Sequence, residues 1–93
     1  MNFGLIKEAG LVQGEFADLL GVSRATVNTW VSTGRVSKFI RPVAKTYLDW
    51  LQECIKDEVL PQELEGLPPI GGNMEMRWEI IKKLWESRAA ETA

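Results

Sequence analysis

The sequence predicts an all-α fold: a compact bundle of about four helices, then a connection rich in proline and glycine, then a C-terminal amphipathic helix. Three observations carry that prediction. Apolar residues recur at spacings of three and four in several stretches, the period of a helix with one buried side. Gly10, Gly21 and Gly34 fall where such stretches must stop, and glycine takes a left-handed terminating conformation at little cost. Pro61, Gly66, Pro68, Pro69, Gly71 and Gly72 crowd into one short segment that breaks regular structure.

Taken in order, residues 2–9 form a short first helix, with Phe3, Leu5 and Ile6 apolar and Gly10 as its stop. Residues 13–20 form a second helix, and Ser23 caps a third that runs to about Ser32. Ser32-Thr33-Gly34-Arg35 is a turn. A longer helix begins at Ser37 or Arg41 and reaches about Glu58, with Pro42 tolerated in its first turn. Its residues Ala44, Leu48, Leu51 and Ile55 pack beneath the preceding helices, while Tyr47 and Trp50 lie toward a flank. Residues 61–73 connect a first unit, 1–60, to a C-terminal unit, 74–93. The Pro68-Pro69 pair favours an extended path there, and Gly71-Gly72 a flexible corner. The final helix, capped by Asn73, reaches about residue 90. It draws Met74, Trp78, Ile81 and Trp85 into one stripe, widened by Ile80 and Leu84. The opposite side carries Glu79 with Lys83 and Lys82 with Glu86 as favourable four-residue pairs. Burial of two tryptophans and several aliphatics is worth several kcal/mol, so the stripe must be covered. The rest of the chain, a second copy, or exchange of the helix between two copies would each cover it.

The most informative stretch runs from Gln13 to Trp30. Phe16, Ala17, Leu20, Val22, Val27 and Trp30 give both short helices a sealed side, and Ala17 is small where they cross. Arg24, Ala25, Thr26, Asn28 and Thr29 remain outward on the second of them, side chains suited to approaching base edges. Gln13, Ala17, Gly21, Val27 and Trp30 stand at offsets of zero, four, eight, fourteen and seventeen. With the turn sequence Leu20-Gly-Val-Ser-Arg-Ala-Thr-Val27, this stretch resembles the helix-turn-helix domains of the phage repressor and Cro family. The resemblance covers residues 11–36. It implies a helix-turn-helix bundle that binds double-stranded DNA in a sequence-specific way, usually as a dimer. Gly14 departs from the family pattern, which commonly has a second polar residue there; glycine also weakens the helix start by roughly 1 kcal/mol relative to alanine.

Charge is distributed to match. The net charge is −2, yet residues 1–50 carry six cations and four anions, and residues 51–93 five cations and nine anions. Residues 19–48 contain Arg24, Arg35, Lys38, Arg41 and Lys45 and no acid, a strip expected to face phosphate because it begins at the reading helix and continues through the following loop. Other classes are disfavoured. With no histidine and Cys54 alone, no zinc site or histidine relay can be assembled, so no metal, cofactor or enzymatic activity is expected. Cys54 reads as core filler and fits a reducing, cytoplasmic setting. No apolar run is long enough for a membrane span, and the N-terminus does not read as a signal peptide.

The expected function is therefore transcriptional regulation by a Cro-like phage or prophage repressor, a homodimer on an inverted-repeat operator. Arg24, Ala25, Thr26, Asn28 and Thr29 are the candidate base contacts; Gln13, Ser23, Ser32, Arg35 and Lys38 are the candidate phosphate contacts, with Arg41 and Lys45 after them. Met74, Trp78, Ile81, Trp85 and Trp50 are the candidate dimerisation residues. A protein-interaction module such as an antitoxin or phage inhibitor is the main rival. Excisionase and the small subunit of a phage packaging machine are further DNA-binding alternatives.

Overall fold

The computed structural model describes residues 1–92, with side chains through residue 88; residue 93, the last of the expected C-terminal unit, lies outside the described residues. Five α-helices occur among the described residues: α1 Gly4–Glu8, α2 Gln13–Leu20, α3 Arg24–Thr33, α4 Arg41–Lys56 and α5 Asn73–Thr92, with a 3-10 turn at Gln62–Leu64 between the last two. No strand is formed among the described residues, and the fold is an all-helical bundle. No helix among them is long and apolar enough to cross a membrane.

Local rules place the first four helices. Gly21 ends α2 at φ +74° and Gly34 ends α3 at φ +72°, both in the left-handed region that disfavours any side chain. Ser23 Oγ accepts the Thr26 N–H at 3.1 Å, the N-cap bond expected of it. Only the three residues from Gly21 to Ser23 separate α2 from α3, so the two helices must cross closely. Ala17, 1% exposed, supplies the narrow waist. On α4, Ala44, Leu48 and Leu51 are buried and Ile55 packs against them, the register that helical spacing demanded.

The core draws on the whole chain. Phe16 of α2, Val27 of α3, Leu51 of α4, Leu60 of the connection and Ile81 of α5 are all fully buried. The connection therefore differs from the spacer expected between two units. Leu60 and Leu64 belong to the core, and Pro61 lies so near Gly10 that a Cβ there would stand 2.9 Å from the proline Cβ. Breaker residues end helices, yet Leu60 and Leu64 still have apolar area to bury, and the 3-10 turn lets both point inward. Asn73 also departs from its expected role: its side-chain amide donates to the Pro68 carbonyl at 3.2 Å and ties the start of α5 to the proline pair.

The apolar side of α5 folds onto its own chain, which alters the reading of the candidate dimerisation residues. Trp85 stacks on Tyr47 with ring centroids 4.2 Å apart, and Trp50 meets it edge-on at 5.3 Å. Ile81 and Trp50 are buried within the chain, and Met74 and Trp78 are half-buried. Aromatic pairs of this kind contribute about 0.5–1.5 kcal/mol each beyond area burial, so the stripe has its cover in cis. Ion pairs from Arg88 to Glu53 and Asp57 hold the same helix pair at the surface. At the opposite edge the pairing also shifts: Lys82 stands 4.0 Å from Glu79, three residues away rather than four.

One buried ion pair fastens α5 to α2. Arg77 and Glu15 are 2% and 3% exposed. Arg77 Nε donates to Glu15 Oε2 at 3.0 Å and Nη2 donates to Oε1 at 2.8 Å, the two-pronged geometry of a guanidinium on a carboxylate. The same guanidinium donates to the carbonyls of Gly10 at 2.6 Å and Leu67 at 2.8 Å. Removing one partner of such a pair typically costs about 3–5 kcal/mol, because the other is left charged in the interior.

Candidate nucleic-acid interface

Two sides of α3 differ sharply. Val27 and Trp30 face the core, and Phe3 lies against the Trp30 ring at 6.2 Å. Arg24, Ala25, Asn28, Thr29 and Ser32 are exposed along the other side. Arg24 and Asn28 stand one helical turn apart, and neither makes a side-chain hydrogen bond or ion pair with another described residue. A guanidinium and a carboxamide at that spacing present two planar donor groups in one direction.

The hydroxyls are differently disposed. Ser23 and Thr26 hydroxyls bond each other at 2.8 Å, and Thr26 is half-buried, so this pair is occupied in capping the helix. Thr29 donates to the Ala25 carbonyl at 3.0 Å and Ser32 to the Asn28 carbonyl at 2.9 Å. Each of these protons goes to the backbone, which leaves the oxygens able to accept. A phosphate oxygen needs a donor. Ser23 and Ser32 are thus the weakest of the expected phosphate contacts, and Thr26 the weakest of the expected base contacts.

The cations fall into groups. Arg35 and Lys38 are exposed in the loop between α3 and α4, and Arg35 shares a cleft of about 550 Å³ with Ser37 and Arg41. Arg41 also braces that loop, with Nη2 donating to the Val36 carbonyl at 2.9 Å. Lys45 is paired with Asp49 at 2.8 Å and so adds little net charge to the strip. A second cleft of about 550 Å³ lies where α1, the start of α2 and α3 meet, with Lys7, Gln13, Arg24 and Asn28 on its walls. Lys7 was not among the sequence candidates: nothing in a five-residue helix marks it as a neighbour of α3. Gly14 lies beside Arg24: a Cβ on it would sit 3.9 Å from the arginine Cδ, an ordinary contact, so the arginine stem runs along the start of α2 without requiring a glycine there.

Away from this face, Cys54 is buried and its thiol pKa is pushed up to about 11, first by desolvation and then by the Asp57 charge. A thiol held neutral in this way is a poor nucleophile, in keeping with a packing role. Burial likewise raises the Tyr47 hydroxyl above its ordinary value.

No protein-family model matches the sequence, and no curated protein or solved structure is significantly similar to it.

Proposed function

We propose that the protein binds double-stranded DNA in a sequence-specific way and regulates transcription as a Cro-like repressor. The observation that carries this reading is the outward row of α3. Arg24 and Asn28 stand a turn apart with no side-chain bond to another described residue, on a helix whose other side is sealed, beside clefts that hold Lys7, Gln13 and Arg35. Arg24 bonds the two major-groove acceptors of guanine, and Asn28 the acceptor and amino group of adenine. Ala25 and Thr29 fill the space between them. Lys7, Gln13, Arg35 and Lys38 hold the flanking phosphates.

One such helix touches only about four or five base pairs, so selection requires two copies, and two-fold pairing sets reading helices about 34 Å apart on an inverted repeat. With Trp50, Ile81 and Trp85 covered in cis, the pairing edge is instead the start of α4. There Phe39, two residues before the helix, and Val43, in its first turn, are 85% and 39% exposed. A second reading, a protein-interaction module, is favoured by Ile70 and Met76, 67% and 56% exposed on the acidic half of the chain.

Titration of single-base-pair variants of a selected duplex tests the division of labour. Arg24→Ala costs about 1–3 kcal/mol and relaxes preference at one base pair. Arg35→Ala weakens all sequences alike and lowers the salt slope by about 1. Identical base-preference profiles for the two variants would overturn the assignment.

A further inference from the structure

The carboxylate of Glu15 is at odds with a phosphate-binding α2. It stands two residues after Gln13 in the first turn of the helix and accepts the Val12 N–H at 3.0 Å. That bond, and the favourable meeting of a carboxylate with a helix N-terminus, explain why the fold gains from an acid there. A bare negative charge at the same end would repel the DNA backbone. Arg77 meets both requirements. Its guanidinium is held from three sides, by Glu15, by the Gly10 carbonyl and by the Leu67 carbonyl, and so cannot swing out to bind phosphate itself.

We propose that Arg77 is a positioning residue for DNA binding: it masks the Glu15 charge, so that the cleft of Lys7, Gln13 and Arg24 stays positive enough to hold a backbone phosphate. This rests on the DNA-binding reading above. It assigns α5 a part in function although none of its residues lines the two clefts beside the row of α3. A packing role alone would need no charges, since apolar residues of similar volume commonly replace a buried ion pair without loss. A unit charge about 10 Å from another, at an effective dielectric near 20, shifts affinity roughly tenfold.

The test uses the full chain as wild type, Arg77→Met, Glu15→Gln and the double variant Glu15→Gln/Arg77→Met. Binding to selected and scrambled duplexes is followed by fluorescence anisotropy at several salt concentrations, with helix content checked by circular dichroism. Arg77→Met should weaken both duplexes by roughly tenfold or more. The double variant should return to within about threefold of wild type, with base preference unchanged throughout. A purely structural role predicts loss in both single variants and recovery in the double one. Masking predicts instead that Glu15→Gln, which removes the charge Arg77 covers, binds at least as tightly as wild type. A folded Glu15→Gln protein that binds as weakly as Arg77→Met overturns the proposal. A folded double variant that binds as weakly as Arg77→Met overturns the proposal, as does an Arg77→Met protein of wild-type affinity. If Arg77→Met does not fold, Arg77→Lys, which keeps the charge, must bind within a few-fold of wild type, and the double variant must still bind; loss in either overturns it. Wild-type protein that holds no duplex sinks the DNA-binding reading itself, and the wild-type titration separates that result from a failure of masking alone.

Discussion

Gly10 offers the sharpest physical test of how the fold is closed. Its φ is +81°, and a Cβ built on it would stand 2.9 Å from Cβ and 3.6 Å from Cα of Pro61. Alanine there incurs two costs. The left-handed backbone disfavours any side chain by about 1–2 kcal/mol. The overlap falls on a rigid ring rather than on the tip of a mobile side chain, and relief requires a backbone shift worth about 1–3 kcal/mol. Together Gly10→Ala should lose about 3 kcal/mol. Gly21 is the matched control, because its φ is +74° and no atom lies within 4 Å of an added Cβ. Gly21→Ala should therefore lose only the backbone share, about 1 kcal/mol. Urea unfolding followed by circular dichroism separates them: for a slope near 1 kcal/mol/M, the midpoint falls by roughly 3 M in the first variant and 1 M in the second. Equal losses would refute the close approach of the connection to the α1–α2 turn.

Other outcomes follow from the same structure. Gly14→Ala should stabilise by about 0.5–1 kcal/mol in thermal unfolding, since its Cβ would meet Arg24 Cδ at an ordinary 3.9 Å and a helical glycine is replaced by the best helix former. Trp85→Ala removes the ring shared by Tyr47 and Trp50 and should cost about 3 kcal/mol, read as a lower unfolding midpoint. Any rise of the wild-type midpoint with protein concentration should come from the edge at Phe39 and Val43, since the stripe of α5 is covered within one chain, and Phe39→Ser should abolish it; a rise that survives would indicate exchange of α5 between copies. Cys54 has a thiol pKa raised to about 11 in the folded state, so the folded form keeps a proton that the unfolded chain releases. Stability should thus fall as pH rises from about 9 toward about 11, and Cys54→Ala should lose that part of the decline.

Much of the fold was legible because its rules are local. Gly21 and Gly34 had to take positive φ, Ser23 had to cap, and Phe16, Ala17, Val27 and Trp30 had to share one side, all within nineteen consecutive residues. What could not be read was non-local. Glu15 and Arg77 lie 62 residues apart, and no spacing rule links them. A partial signal existed, since Arg77 falls three residues after Met74 and four before Ile81, inside the apolar stripe. Leu60 and Leu64 were hidden among prolines and glycines, where composition speaks for a linker although the side chains speak for a core. At the interface, exposure of the α3 row followed from periodicity. The inward use of the Thr29 and Ser32 protons did not, because a hydroxyl on a helix can turn either way.

The central claim is that the exposed row of α3 distinguishes one base sequence from another. Selection from a random duplex library, followed by competition between the selected and a scrambled duplex at about 150 mM salt, measures it directly. The account predicts a two-fold-symmetric selected site, preferred by roughly a thousandfold or more. Equal retention of both duplexes, or of neither, would contradict it.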